Sequence, residues 1–128
     1  DAVLAINAIG IVPYVSGLKT IDMCGLTDEH IAHRDVPDGV GALGHEKHDA
    51  SYVLDRRPDI IIPGLPVLTK KPVPPERLGA HLGRFFMDIP GDRELMSDPR
   101  MSEDYSVMSL PVDLDRWLTF FVRVERPR

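Results

Sequence analysis

The chain has 128 residues, of which 43% are hydrophobic and 27% charged, so we expect one globular domain that buries about two-thirds of its unfolded surface. Its formal net charge is −5 and its 15 Lys and Arg residues are scattered. This argues against a nucleic-acid partner, because a phosphate backbone requires a concentrated basic face. The single cysteine excludes an internal disulfide bond.

The beginning of the chain predicts a parallel α/β unit. Residues 2–7 are a short apolar run, which is typical of a strand covered on both faces. A short helix is predicted over 8–16 and a second strand over 18–23, which ends before Cys24 and Gly25. A strand, a crossover and a second strand in so few residues indicate parallel pairing.

Two more helices and a third strand are predicted next. Thr27 is the expected N-cap of a helix whose first turn contains Asp28. Asp49 is expected to cap a helix that reaches Arg57. Residues 59–63 combine three isoleucines with flanking prolines and are the clearest strand in the sequence.

The rest of the chain is predicted to be less regular. Residues 64–75 are a proline-rich loop, 75–87 are a helix weakened by two glycines, and 92–100 are irregular or a short helix. An antiparallel hairpin is predicted from about 104–112 and 116–125. The predicted fold class is α/β: a small, three-layer-like single domain with a parallel strand core, extended by this hairpin.

Four of the five histidines lie close together in the sequence. His30 and His33 are three residues apart on a predicted helix, and His45 and His48 flank Glu46 with the same spacing. Four imidazoles could hold a transition metal in a small metal-dependent hydrolase. The spacing does not match His-Glu-x-x-His, and the alternative is that these side chains lie on the surface or satisfy loop backbone groups.

Asp22 and Cys24 lie at the carboxyl end of the second predicted strand. Ligands bind at that edge in open α/β sheets, so Asp22 could accept hydrogen bonds from sugar hydroxyls or position a cation. Alternatively, Asp22 caps the following turn. Cys24 is either a nucleophile activated by a nearby histidine or a small apolar filler. No glycine-rich phosphate loop follows a strand, and no cofactor is predicted.

Several short blocks in the first half of the chain occur in order with sensible gaps. They are Gly10-x-x-x-Tyr14-x-Ser16-Gly17, Ile21-Asp22-x-x-Gly25-Leu26-x-Asp28-x-x-Ile31-Ala32, Gly44-His45-Glu46-Lys47 and Arg57-Pro58-Asp59. This pattern resembles the C-terminal soluble region of bacterial polytopic membrane proteins of the GT-C superfamily, including relatives of the mannosyltransferase-like family 39 and the mycobacterial terminal arabinofuranosyltransferases. The resemblance covers roughly residues 1–63 and, more weakly, 117–127.

The resemblance implies a location and a set of partners. Members of the superfamily use polyprenyl-phosphate sugars on the outer side of the cytoplasmic membrane, and their catalytic carboxylate lies in the membrane part. The chain would then be an extracytoplasmic, periplasmic accessory domain that is not catalytic alone. Its partners would be its own transmembrane domain and an envelope glycan or polyprenyl-linked sugar. The start at Asp1, without a methionine, agrees with an excised piece of a longer protein.

The resemblance also implies contacts to sugar hydroxyls or to a membrane-domain loop. Sugar rings stack on exposed aromatic faces, for which the suitable side chains are Tyr14, Tyr52, Tyr105 and Trp117, with Trp117 expected in the core. Of these, Tyr14 is a candidate contact residue. The alternative is a structural module that packs on its membrane domain, with residues 44–47 as the interface loop. The other implied contact residues are Asp22, Asp28, His45, Glu46 and Lys47.

Overall fold

The computed structural model describes residues 2–37, 39–64, 68–77 and 89–124. Its described strands are β1 (Val3–Ile6), β2 (Lys19–Asp22), β3 (Ile60–Ile62), β4 (Leu68–Thr69), β5 (Tyr105–Pro111) and β6 (Trp117–Arg123). Its helices are α1 (Ile11–Ser16), α2 (Glu29–Ala32), α3 (Ala50–Asp55), α4 (Pro90–Ser97) and α5 (Pro99–Asp104). The α/β class is confirmed.

The strands form one mixed sheet. Its order is β2-β1-β3-β6-β4, and β5 pairs with β6. β1 lies parallel to both β2 and β3, whereas β6 is antiparallel to β3 and to β5. The predicted parallel core and C-terminal hairpin are therefore both present, and the hairpin joins the sheet directly beside β3.

Helices and loops cover both faces of the sheet. Side chains alternate between the faces along a strand, so an unbroken apolar strand needs cover on both sides. On one face, Ala5 and Ile61 pack with α2 to α5. On the other face, Leu4 and Ile62 pack with residues that include Val12 of α1. The three-layer arrangement follows from these two clusters.

The two strands that follow β1 in the chain pair with it on opposite sides. The connection through α1 leads to β2 on one side of β1, and the later connection through α2 and α3 leads to β3 on the other side. The two connections also lie on opposite faces. The carboxyl ends of β1 and β3 therefore form a topological switch point, which is where open α/β sheets bind ligands.

The opposite, amino edge of the sheet is held by Asp59. Its Oδ2 accepts a hydrogen bond of 2.8 Å from the Val3 backbone N–H, and its Oδ1 pairs with the Arg123 guanidinium. The hydrogen bond from Val3, followed by that from Arg123, holds the pKa of Asp59 below its usual value. Asp59 thus joins β1, β3 and β6 at their ends.

Several predicted boundaries need correction. The N-cap of α2 is Asp28, whose Oδ1 accepts from the Ile31 N–H at 3.2 Å, and not Thr27. The segment predicted to be irregular or a short helix forms α4 and α5, each with a proline in its first turn. The predicted loop after residue 63 contains the short strand β4. The helix predicted over 75–87 begins as expected, since residues 75–77 are helical, and its residues 78–87 lie outside the described residues. The end of the predicted hairpin after residue 124 also lies outside them.

Candidate functional site

Asp22 is buried and holds the loop between β2 and α2. Its carboxylate accepts hydrogen bonds from the backbone N–H groups of Cys24 (3.0 Å), Gly25 (3.2 Å) and Thr27 (2.6 Å). The Thr27 hydroxyl donates a fourth at 3.2 Å, and only 1% of Asp22 is exposed. This geometry favours the turn-capping alternative, because the carboxylate is committed to its own loop.

The switch point contains a polar pair that the sequence did not single out. Asn7 follows β1 and is buried, and its Nδ2 donates to Asp92 Oδ1 at 2.9 Å and Oδ2 at 3.1 Å. The Gly64 N–H donates to Asp92 Oδ2 at 2.7 Å. Cys24 completes the group, with its Sγ 3.4 Å from Asn7 Oδ1. Asp92 lies in the first turn of α4, so this helix closes the carboxyl ends of β1 and β3.

Burial dominates the protonation of these groups. Burial raises the pKa of Asp92. Hydrogen bonds from Asn7 and Gly64, and the electrostatic effect of the nearby His45, lower this pKa but offset the effect of burial only in part. Burial, followed by the charges of Asp22 and Asp92, raises the pKa of the Cys24 thiol to about 12. A nucleophilic cysteine requires a lowered pKa. The structure therefore favours the packing interpretation of Cys24 over catalysis.

A polar clamp joins α2 to α3. The Tyr52 hydroxyl donates to Asp28 Oδ2 at 3.1 Å, and the Tyr52 ring stacks on His30 with 4.0 Å between ring centroids. His30 Nε2 lies 2.9 Å from Asp49 Oδ2, and Asp49 caps α3. Burial raises the pKa of Asp49, but hydrogen bonds from His30 and Tyr52 and the charge of Arg34 outweigh it, so the pKa is lowered. Asp28 is a helix cap here.

The four histidines bind different partners. His33 Nδ1 lies 2.8 Å from the Glu29 carbonyl, His45 Nδ1 lies 3.4 Å from the Leu43 carbonyl, and His48 Nδ1 lies 2.6 Å from the Glu46 carbonyl. His30 is held in the clamp described above. Within residues 2–37, 39–64, 68–77 and 89–124, no three His, Cys, Asp or Glu side chains are grouped as ligands for a metal ion. The structure does not assemble the four predicted metal ligands into one site.

Lys47 closes a long loop onto the end of α2. Its ammonium donates to the carbonyls of Ala32 (2.5 Å) and Arg34 (3.1 Å). A cation is favoured at this end of a helix, where backbone carbonyls lack partners. The loop from residue 34 to 47 therefore begins and ends at the same place, as in an Ω-loop, a type that is frequently functional.

This loop encloses an open cleft of about 320 Å³, which we call the loop cleft. Within the described residues, the Asp35 and Glu46 carboxylates accept no hydrogen bond and form no ion pair. Arg34 is half-exposed, and its Nε lies 3.4 Å from Asp49 Oδ2. The lining residues are Arg34, Asp35, Val36, Pro37, Gly39, Glu46 and Lys47. Glu46 and Lys47 are thus the two predicted contact residues that the structure brings together.

Tyr14 lies elsewhere. It is 88% exposed on α1, which packs on the sheet face opposite α2. Ile11 and Val15 are also exposed, at 75% and 73%, so α1 presents an apolar stripe to solvent. His45 lies close enough to Asp92 to influence its pKa and is not among the residues that line the loop cleft.

Sequence reasoning missed Asn7 and Asp92 at the switch point and Arg34 and Asp35 in the loop cleft. The signal for Asp35 was the length of the loop itself, because structureless loops of this size are commonly functional. No local signal marked Asp92, since its contact with Asn7 spans 85 positions in the chain.

The fold defines a small α/β domain with a mixed sheet, a strand-order reversal at β1 and a long loop after α2 that encloses the loop cleft. The chain matches, over residues 1–121, the model of the family described as "Domain of unknown function (DUF8728)", and it belongs to that family. It matches no curated protein and no solved structure. No helix in the described part of the chain combines the length and apolar character needed to cross a membrane.

Proposed function

We propose that this domain is the extracytoplasmic accessory domain of a GT-C-type membrane glycosyltransferase-like protein, and that it binds glycan without catalysing transfer alone. The observation that carries the proposal is the loop cleft. It contains two unpaired carboxylates and is lined by Glu46 and Lys47 from one of the blocks that resemble that superfamily.

The chemistry of the loop cleft suits a sugar residue. Its volume lies at the lower end of the range for small-molecule sites, about 300 to 1,000 Å³. The Asp35 and Glu46 carboxylates can accept hydroxyl protons, and Val36 and Pro37 provide apolar surface for the C–H groups of a ring. The lining residues include no aromatic side chain, so we expect weak binding, with a Kd of about 1 mM or more.

The two side chains that were candidates for a role in chemistry, Cys24 and Asp22, are in states that also agree with a binding role. The raised pKa of Cys24 disfavours its thiolate, and the Asp22 carboxylate is occupied by its own loop. In the proposed parent protein, the catalytic carboxylate would come from the membrane domain. The domain's other partner would then be that membrane domain, on the periplasmic side of the inner membrane.

The test is an NMR titration of the ¹⁵N-labelled domain with neutral mannose and arabinose oligosaccharides up to about 50 mM, a range chosen for millimolar affinity. We expect amide shifts confined to the loop cleft. Glu46→Gln should weaken binding by about fivefold, because a hydrogen bond to a charged group contributes more than one to a neutral group.

Glu103→Gln is the matched control, because Glu103 is an exposed glutamate of α5 outside the loop cleft. It should leave the affinity unchanged. Absence of saturable shifts, or equal losses in the two variants, would contradict glycan binding by the loop cleft.

A second candidate function is supported by the apolar stripe of α1. Ile11, Tyr14 and Val15 are the kind of exposed surface that docks on another protein surface, here the membrane domain of the same protein. The double variant Ile11→Ser/Tyr14→Ser should lower the abundance of the full-length protein in membranes while the isolated domain keeps its melting temperature. Leu114→Ser, at a fully exposed position in the hairpin turn, is the control. Unchanged abundance of the double variant would exclude this docking role.

A further inference from the structure

The hairpin leaves β5 as an outer strand of the sheet. Among the described strands it pairs with β6 alone, and its seven residues (Tyr105–Pro111) include no charged side chain. Proteins commonly protect such an edge with a short strand or a charged side chain, because its unpaired N–H and C=O groups can pair with another chain. On the opposite side of the sheet, β2 has only four residues and begins at the exposed Lys19. β5 is therefore the less protected of these two edges.

The hydrogen bonds of the hairpin show which backbone groups of β5 point outward. In an antiparallel pair, residues bonded to the partner strand alternate with residues whose N–H and C=O point away from it. At the turn, the Val112 N–H donates to the Arg116 carbonyl at 2.8 Å, and at the other end the Val124 N–H donates to the carbonyl of residue 104 at 2.7 Å. The even-numbered residues of β5 therefore face β6. The residues whose backbone groups point outward are Tyr105, Val107, Ser109 and Pro111. In the part of the chain that the structure describes, no hydrogen bond engages these outward groups.

The outward groups suit a second copy of the same strand. Two copies of β5 related by a two-fold axis at Val107 place Tyr105 of each copy opposite Ser109 of the other. Every outward N–H and C=O of these three residues then has a partner. Pro111 lies beyond the paired segment, where its missing N–H costs no hydrogen bond. Residues 105–109 are uncharged, so the net charge of −5 on each copy brings no like charges into contact along the paired segment.

Exposed apolar side chains lie beside this edge. Leu68, Leu118 and Leu110 are opposite one another on β4, β6 and β5, and Met108 lies opposite Phe120 on the same face. Leu68, Leu110 and Met108 are 43%, 48% and 40% exposed. In the two-fold arrangement, the Met108 side chains of the two copies become diagonal neighbours, a separation that long side chains can bridge. Pairing thus covers part of this apolar surface while it satisfies the edge.

We propose that this domain forms a two-fold symmetric dimer in which the β5 strands of two copies pair antiparallel, so that two sheets become one. None of the residues that line the loop cleft belongs to this interface. An edge of this length buries less than the roughly 800 Å² per partner of a standard interface, so the dimer is weak, with a Kd of about 100 µM.

Sedimentation equilibrium from about 5 to 500 µM brackets this dissociation constant. Met108→Glu places two carboxylates beside the two-fold axis, and since like charges at such positions repel, the Kd should rise at least about tenfold. Leu68→Glu is the matched control, because it adds the same charge at a similarly exposed position of the same face, but on β4. It should change the Kd by less than about twofold. An equimolar mixture of Met108→Glu and Met108→Lys should associate again, because opposite charges then meet.

Each alternative has its own outcome. A wild-type chain that stays monomeric at about 500 µM overturns the proposal. Equal weakening by Leu68→Glu also contradicts it, because association would then depend on the sheet face and not on the β5 edge. If the mixed Glu and Lys variants do not associate, the two-fold axis does not lie beside Met108. Species that grow beyond a dimer with concentration would mean that β5 pairs with β2 of the next copy, an open arrangement that excludes the symmetric dimer.

Discussion

Acidic side chains lie in two regions of this molecule, and other described groups of the protein donate hydrogen bonds to them in only one of the two. At the carboxyl edge of the sheet, Asp22 is buried and Asp92 is partly buried, and together they accept seven hydrogen bonds from neighbouring groups of the protein. In the loop cleft, Asp35 and Glu46 face open space, and no described residue donates to their carboxylates. A carboxylate that is already satisfied contributes to folding, whereas one left open is available to a ligand.

The comparison changes how the switch point should be understood. Strand order places it where α/β sheets usually bind ligands. In this chain, α4 brings Asp92 onto Asn7, and the loop after β2 folds over Asp22. The usual binding edge is thus closed by the protein's own polar groups, and the open acidic groups lie in the loop after α2.

The largest expected effect is loss of the Asp22 carboxylate. Asp22→Ala removes a buried acceptor from four hydrogen-bonding groups, of which the Cys24 N–H is itself buried, so we expect the free energy of unfolding to fall by about 3 kcal/mol. Asp35→Ala, at an exposed position, should change it by less than about 0.5 kcal/mol. Urea denaturation followed by circular dichroism measures both. Equal stability of the two variants would remove the distinction between the regions.

A smaller effect is expected where α2 packs on the loop of the carboxyl edge. Gly25 has φ +77°, and a Cβ there would lie 2.8 Å from the Ala32 backbone nitrogen. Gly39 of the loop cleft has nearly the same φ, +76°, with nothing within 4 Å of its Cβ position. Gly39→Ala therefore adds only the left-handed strain of about 1 kcal/mol, and Gly25→Ala adds a clash with backbone that cannot move freely.

We expect Gly25→Ala to lower the melting temperature clearly more than Gly39→Ala, which differential scanning calorimetry can measure. The matched backbone angle makes the difference between the two variants a measure of packing alone. If both variants lost the same amount, the close approach of α2 to this loop would be wrong.

The fold was predictable where local pattern and burial agree. Three consecutive β-branched isoleucines after Asp59 predicted a strand, and partial alternation in the last strand indicated one buried face. The segment that forms α4 was harder, because its sequence is mostly polar and only Leu95 and Pro90 of that helix are buried. Tertiary contact with α3 and the switch point stabilises it, and the sequence contains no local sign of that contact.

The site was only partly predictable for a related reason. Asp22, Asp28 and Lys47 are polar residues beside turns, a pattern that fits both a ligand contact and a cap. The structure shows all three bonded within the domain, whereas Glu46 remains open in the loop cleft. Sequence spacing identifies which side chains are polar and close, but hydrogen-bond partners decide which of them are still available.

The smallest expected effect is a pH dependence that separates the carboxyl edge from the amino edge. Burial raises the pKa of Asp92, so folding stabilises its neutral form relative to its ionised form. Its contribution to stability is fully present below the unfolded pKa of about 3.8 and is lost as pH rises through the folded pKa. The pKa of Asp59 is lowered by Val3 and Arg123, so its contribution is present above about 3.8 and is lost as pH falls through the folded pKa.

The free energy of unfolding of Asp92→Asn, relative to that of the wild type, should therefore be higher at pH 7 than at pH 4. Asp59→Asn should lower the free energy of unfolding most at pH 7 and progressively less below pH 4. The difference in free energy of unfolding between each variant and the wild type changes by at most about 1.4 kcal/mol per pH unit, which is the limit for one proton. Urea titrations at pH 3, 4, 5 and 7 give the two curves. Slopes of the same sign would mean that the two edges do not hold their aspartates in different electrostatic environments.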